Sequence, residues 1–401
     1  MAQKLRYCYR LYPHPHQRLA LARPFGCARV VWNDALALSQ DLYKRGQKYP
    51  GGAALQKQCV TQPKRTPERS WLAAVSNVPL QQSLRDLDQA FRNWWKSKGR
   101  SRAPRFKKCN NRQGIRFQAN AFWVEGRKLR LTKVGSIPVN WSRDLPATPS
   151  SASIVKDCAG RYFASFVVEV DRTRLPPNGK AVGIDLGLAS LVVTSDGEKI
   201  APPKFLRSTL RRLRRLQRAL SRTQRGSRNR AKARLLVAKR HAKVADKRLD
   251  FLHKLNTRLI RENQAVGIED LNVSGMLKNR KLAKFIADSI WRMFRTLLES
   301  KAEMYGRTVQ VFNRWHPSSQ LCSECGHRSG KKPLSVREWQ CLGCGVVHDR
   351  DINAARNLIP TVAAGLAETR NACLSRSKFS LLVSGVDAGT HLNREVRKCT
   401  T

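Results

Sequence analysis

Apolar residues recur at two different periods along this chain, and the change of period divides it. Residues 3–12 (QKLRYCYRLY) alternate basic with aromatic or apolar side chains, the pattern of a short strand. Residues 16–45 read as helical. Over 77–97, Leu80, Leu84, Leu87, Phe91 and Trp94 fall on one helical face, with Arg85, Arg92 and Lys96 opposite. That stripe places Trp94 in a core; Trp95 lies off it, where it could stack on a base. A basic linker from Lys96 to Lys108 follows, with Gly99 and Pro104 against helix. From about 114 to 171 the period shortens to two, in RFQANAFWV, KLRLTKV, ASIVKD and RYFASFVVEVD. Tyr162, Ala164, Phe166 and Val168 share one face. These segments predict a small antiparallel barrel or sheet, ended by Pro176, Pro177, Asn178 and Gly179.

Beyond that boundary the pattern alternates between buried strands and helices. AVGIDLGLASLVVTSDGEKI reads as a buried strand, a turn, a second strand and a hairpin at Asp196-Gly197. Residues 206–262 are helical, with a seam of Leu206, Leu210, Leu213, Leu216 and Leu220. GSRNR at 226–230 interrupts them, so two antiparallel helices are predicted. QAVGIEDL (264–271) is another buried strand. An amphipathic helix over 282–305 carries Leu282, Phe285, Ile286, Ile290, Met293, Phe294, Leu297 and Leu298. A strand (RTVQVF), a cysteine cluster and a final helix starting near Asp351 complete the pattern. The tail from 371 to 401, mixed in Ser, Gly, Thr and Arg, is predicted to be poorly ordered.

Charge narrows the partner. The 401 residues hold 77 Lys+Arg and 28 Asp+Glu, a net charge of +49, far beyond what solubility requires. Length and an apolar fraction of 41% support two or three domains with real cores. Such a charge argues against an ordinary metabolic enzyme or a secreted scaffold and for nucleic acid. It is densest over 201–260, with twenty Lys/Arg against Asp246 and Asp250. The leucine seam argues against disorder, and the lack of compensating acids argues against a merely solvated face. The reading is a helical hairpin laid along phosphates, with Arg211, Arg214, Arg215, Arg218, Arg222, Arg225, Arg228, Arg230, Lys232 and Lys254 as contacts. The N-terminal segment has no apolar core or small-residue cleavage site, and no stretch approaches the ~20 apolar residues of a membrane span. A cytoplasmic location without membrane contact is expected.

Four of the eleven cysteines form Cys322-x-x-Cys325 and Cys341-x-x-Cys344, with fifteen residues between the pairs. Each pair can wrap two thiolates onto one knuckle, with Gly326 and Gly345 where the knuckle needs a positive φ. Four thiolates satisfy tetrahedral Zn²⁺ with no open position, so the expected zinc is structural. His327 and His348 could each replace a thiolate, but the full cysteine set makes this unnecessary. The ribbon is basic, with Arg328, Lys331, Lys332 and Arg337. The other seven cysteines are scattered, which suits a reducing compartment.

Two acids emerge from apolar strands: Asp185 in AVGIDLG and Glu269 in VGIEDL. An ionised acid there is costly unless paired or metal-bound, so convergent ligands are suggested. Asp351, in HDRDINAA, is the third candidate. Carboxylates suit Mg²⁺, and a pair of such ions can hydrolyse a phosphodiester. Plainer roles exist: helix N-capping for Asp349 or Asp351, and a salt bridge to the basic helices for Glu269.

Taken together, these segments resemble the TnpB family, transposon-encoded RNA-guided nucleases related to compact type V CRISPR effectors. The resemblance runs over nearly the whole chain: RLYPHPHQ, FGCARVVWN, QQSLRDLDQAFRNWW, PRFKK, GIDLGLASL, QRGSRNRAKAR, FLHKL, GIEDLNV, PSSQLCSECG and HDRDINAARNL. It implies an α/β multidomain chain with a RuvC-like nuclease domain of the RNase H fold. That domain would span 180–311 and 346–370, with the basic hairpin at 206–262. A zinc-ribbon insert that binds target nucleic acid would occupy 312–345. A wedge-like β-barrel at 1–12 and 106–175 would be interrupted by a helical recognition domain at 13–105. The catalytic triad implied is Asp185, Glu269 and Asp351 rather than Asp349, around a two-ion Mg²⁺ site. A guide RNA encoded at the transposon end, double-stranded target DNA beside a short adjacent motif, and a monomeric protein in a prokaryotic cytoplasm are implied with it. Two departures stand out: Ser300 before Lys301, where an aromatic is frequent, and His316 before PSS, where an aromatic or apolar residue is usual. The other readings are a DNA-joining transposase, a non-cleaving RNA-guided repressor and a CRISPR effector.

Overall fold

The computed structural model describes residues 2–97, 100–171, 174–203, 205–276, 278, 290–333 and 335–360. The expected tail at 371–401, residues 361–370 and the start of the helix read at 282–305 lie outside the described residues. The chain divides into two units, within Met1–Asp171 and Arg172–Ser377.

In the first unit the period-two segments form one seven-stranded sheet. Its strands are β1 (Ala2–Leu11), β2 (Gln113–Gln118), β3 (Phe122–Glu125), β4 (Lys128–Leu131), β5 (Gly135–Asn140), β6 (Ser151–Lys156) and β7 (Tyr162–Asp171), in the order β2-β6-β7-β1-β5-β4-β3. Neighbours are antiparallel, and β1 and β7 pair along their full length, Ala2 opposite Asp171 to Leu11 opposite Tyr162. The edge strands β2 and β3 are separated by a three-residue 3₁₀ turn, Ala119–Ala121. So short a link keeps one end of the two edges together, and the sheet curls nearly closed around an unpaired seam.

Helices α1 (Pro15–Lys44) and α3 (Asn77–Lys96) cover this sheet, with the short α2 (Gly51–Gln56) between them in sequence. Leu21, Phe25, Val31 and Leu36 of α1 and Leu80, Leu84 and Leu87 of α3 share a core with Tyr9, Phe117, Leu129 and Phe166. The helical stripe stops short of its expected end. Phe91 is buried, but Trp94 is 37% and Trp95 49% exposed, so the expected core position of Trp94 is corrected. Trp95 stacks on Phe91 with centroids 5.4 Å apart. The basic linker is not loose either. Trp32 Nε1 donates to the Arg105 carbonyl (3.0 Å), and the Asn33 amide exchanges two hydrogen bonds with the Lys107 backbone (2.8 and 3.1 Å).

The second unit is built on a five-stranded sheet of β8 (Ala181–Asp185), β9 (Val192–Thr194), β10 (Lys199–Ile200), β11 (Ala265–Glu269) and β12 (Thr308–Phe312), in the order β10-β9-β8-β11-β12. β8 runs parallel to β11 and β11 to β12, whereas β8-β9 and β9-β10 are antiparallel. Helices α4 (Phe205–Ser221) and α5 (Arg228–Glu262) pack together as the predicted hairpin. The short α6 (Val273–Met276) follows β11. α7 (Trp291–Tyr305) begins at Trp291; Ile290, assigned to the helix from periodicity, sits at φ 54° and precedes it. Leu252, Leu255 and Leu259 of α5 and Trp291, Phe294 and Leu298 of α7 are buried with Val182, Ile184, Val266 and Ile268. A two-stranded ribbon, β13 (Glu338–Gln340) with β14 (Val347–Asp349), leads into α8 (Arg350–Arg356).

Candidate active site and zinc centre

The central strands β8 and β11 carry the same pattern, AVGID and AVGIE, and pair in register: Ala181 with Ala265, Val182 with Val266, Gly183 with Gly267, Ile184 with Ile268. Alternation sends the valines and isoleucines to the α5/α7 side and leaves the glycines and the terminal acids on the other. α8 lies on that second face at backbone contact. A Cβ on Gly183 would stand 1.8 Å from the Ala355 carbonyl oxygen, and one on Gly267 1.8 Å from that of Leu358. Only glycine permits this approach.

Asp351 is the second residue of α8, and its charge reaches Asp185. Burial, then the charges of Glu269 and Asp351, push the Asp185 carboxyl up to about 7 against smaller opposing effects of the Leu186 N–H and Arg350. Burial and the neighbouring Asp270 raise Glu269. Asp351 itself has Arg337 Nη1 3.4 Å from Oδ2. Asp185 and Glu269 thus end the two central strands, both raised by burial, and the charges of Glu269 and Asp351 raise Asp185 further. Hard oxygen donors that are harder to ionise together than apart suit a divalent cation such as Mg²⁺.

The two adjacent acids are accounted for separately. Asp349 caps α8, accepting from the N–H groups of Asp351 and Ile352 (3.0 Å each), and Lys199 Nζ lies 2.5 Å from it. Burial acts to raise Asp349, but Lys199 and the two N–H groups outweigh it and hold it below its ordinary value. Asp270 is held low by hydrogen bonds from Arg295 and from Arg314, the latter at 2.9 Å.

The four cysteine sulfurs lie within 4.8 Å of one another, with Cys322–Cys344 at 3.7 Å and Cys325–Cys341 at 3.6 Å. A tetrahedron of Zn–S bonds of about 2.3 Å has edges of about 3.8 Å, so the set fits Zn²⁺. Gly326 and Gly345 stand at φ 72° and 73°, and the Gly343 N–H donates to Cys341 Sγ (3.3 Å). His327 is exposed and outside the set; His348 is buried, its Nε2 3.0 Å from Cys322 Sγ, a partner to the sulfur rather than a fifth ligand. Two of the ribbon's four expected nucleic-acid cations are engaged internally: Lys332 Nζ lies 3.5 Å over the Trp339 ring, and Arg337 reaches Asp351.

On the hairpin, Arg211, Arg214, Arg215, Arg218, Arg222, Arg225, Arg228 and Lys232 are exposed. The other two expected contacts have internal partners. Arg230 is half-buried and donates to the carbonyls of Leu220 (3.2 Å) and Thr223 (2.8 Å), closing the C-terminus of α4. Lys254 pairs with Asp250 at 2.9 Å. Periodicity also misses Asn353, a buried polar residue between Asp351 and Ala355. The only sequence signal for it is an amide on the inward side of a short helix, three residues ahead of Arg356.

Comparison with known proteins settles the family. A protein of Streptomyces pristinaespiralis named "Putative RNA-guided DNA endonuclease" is 46% identical over 371 residues, 91% of this chain and 90% of its own. The chain belongs to the TnpB family. A second TnpB-family relative, "Putative RNA-guided DNA endonuclease InsQ" of Escherichia coli K12, is 30% identical over 90% of this chain and 92% of its own. Family models match at residues 165–280 ("Probable transposase"), 291–358 ("Cas12f1-like, TNB domain") and 1–48 ("Helix-turn-helix domain"). Within that last match the structure forms β1 and one 30-residue helix. The fold is similar to that of a chain in the cryo-EM Cas12f1-sgRNA-target DNA complex, with a TM-score of 0.55 at 15% identity over 85% of this chain and 82% of that one.

Proposed function

We propose that this TnpB-family protein is an RNA-guided DNA endonuclease that cuts DNA complementary to its bound RNA, beside a short adjacent motif. The observation that supports the proposal is that Asp185 and Glu269 end adjacent strands and that burial with the charges of Glu269 and Asp351 pushes Asp185 up to about 7. Strand order β10-β9-β8-β11-β12, with the first three antiparallel and the last two parallel to β8, supports a RuvC-like domain of the RNase H fold. The names of the relatives and the Cas12f1 complex support RNA and DNA as partners. The cysteine set supports a zinc ribbon at 312–345.

Asp185, Glu269 and Asp351 would hold two Mg²⁺ ions, which when bound supply an activated water and neutralise the leaving oxygen of a phosphodiester. The chain's own residues prepare that site. Asp185, raised by Glu269 and Asp351, would be held as a carboxylate by a cation at this site, which would offset that repulsion. Arg295 and Arg314 hold Asp270 away from service as a ligand, and Asp349 is kept by its cap and Lys199. The exposed arginines of α4 and α5 bind phosphates without reading bases, so sequence is read by RNA–DNA pairing.

The test is cleavage by the chain purified with its co-expressed RNA, on DNA carrying the matching sequence, with Mg²⁺. Wild type is expected to leave 5′-phosphate and 3′-hydroxyl ends, while Asp185→Ala binds RNA and target but does not cut. Cutting by Asp185→Ala at the wild-type rate would remove the proposal's basis. The description of the model matching 165–280 favours a second reading, DNA joining. A strand-transfer assay on transposon ends separates the two.

A further inference from the structure

α8 meets two neighbours at once. At Ala355 it presses on Gly183, and just past its end Leu358 presses on Gly267. From the helix, Asn353, 1% exposed, reaches the first zinc knuckle. Its Nδ2 donates to the Leu321 carbonyl (2.7 Å), and its Oδ1 accepts from the Ser323 N–H (2.9 Å). These two groups flank the zinc ligand Cys322. One turn on, Asn357 Nδ2 donates to the carbonyls of Ser318 and Leu321 (2.8 Å each), and Arg356 pairs with Glu324 at 3.0 Å. On the strand before α8, His348 Nε2 stands 3.0 Å from Cys322 Sγ. A helix of seven residues has little cohesion of its own, so its place is set by what it touches. It touches the sheet and the knuckle, and it carries Asp351 two residues from Asn353.

We infer that Asn353 is a positioning residue through which the folded zinc knuckle fixes Asp351 opposite Asp185 and Glu269. The structural zinc therefore governs how tightly the three carboxylates hold a divalent cation. The catalytic consequence rests on the endonuclease reading above; the coupling of the two metal sites does not. Removing Asn353's two bonds to the knuckle should loosen cation binding without touching a ligand of either metal.

The experiment uses the full chain with its bound RNA and Mn²⁺ as the probe, counted by electron paramagnetic resonance. Asn353→Ala is expected to keep one zinc per chain and wild-type RNA affinity. Its Mn²⁺ affinity should fall about 10–100-fold, with a matching fall in kcat and an unchanged KM for DNA. Asn353→Asp keeps the acceptor for Ser323, loses the donor to Leu321 and should fall between. Wild-type Mn²⁺ affinity in Asn353→Ala overturns the inference. Should that variant lose zinc or RNA binding as well, the wild-type chain stripped of zinc decides. Weaker Mn²⁺ binding there with RNA still held supports the coupling, and unchanged Mn²⁺ binding refutes it. A wild-type chain whose Mn²⁺ affinity depends on Asn353 but which cuts no DNA would sink the endonuclease reading and leave the coupling standing.

Discussion

Asp185 is the residue at which burial, charge and chemistry meet. Its folded value, about 7, lies above that of an aspartate in an unfolded chain. The native state therefore binds the proton more tightly, and this group's contribution to stability is present at low pH and declines as pH rises from about 4 to about 7. Cation binding must expel that proton. Divalent-ion affinity is expected to rise with pH through neutrality, with net proton release near pH 6.5, visible as a buffer-dependent heat in calorimetry. Equal heats in buffers of different ionisation enthalpy would show that Asp185 is already ionised. Both strand acids were legible in the sequence because a charge inside an apolar run is anomalous. Spacing alone left Asp349 and Asp351 alike, since either can cap a helix, and the choice of Asp351 came from the resemblance; in the structure Asp349 takes the cap and Lys199.

Among the elements, α8 depends on what surrounds it. Gly267→Ala is expected to push α8 off the sheet, costing about 1–3 kcal/mol and weakening divalent-ion binding. A melting temperature equal to wild type would mean the close approach to Leu358 is not kept in solution. Replacing Cys322 and Cys325 by Ser should release zinc, read by metal analysis, and unravel the first knuckle; retained zinc would contradict the four-sulfur site. Helical and strand periods were legible over most of the chain because each element buries one face. Trp94 shows where that fails. Period places it on the stripe, but only the packing around it decides burial, and the buried stripe ends at Phe91. Arg230 shows the converse, since its charge suggested phosphate but its position after the turn commits it to the carbonyls of Leu220 and Thr223.

For the molecule as a whole, +49 charges make binding of nucleic acid sensitive to salt. Replacing Arg211, Arg214, Arg215 and Arg218 by Ala should weaken RNA or heteroduplex binding and flatten the plot of log K against log salt by about 1 for each phosphate no longer neutralised. An unchanged slope would assign these arginines to solvent. Partner class was readable from charge alone. Guidance by RNA was not, because a basic surface grips any polyanion, and that conclusion draws on kinship with the TnpB family.

The three carboxylates stand 166 residues apart along the chain, from Asp185 to Asp351. During vectorial synthesis, the seven-stranded sheet emerges whole before any of them has met another. A polypeptide that ends between α5 and α8 keeps the basic hairpin but lacks Asp351, and is expected to grip polyanions while remaining unable to sever a strand. A nonsense codon ahead of the hairpin would remove that grip as well.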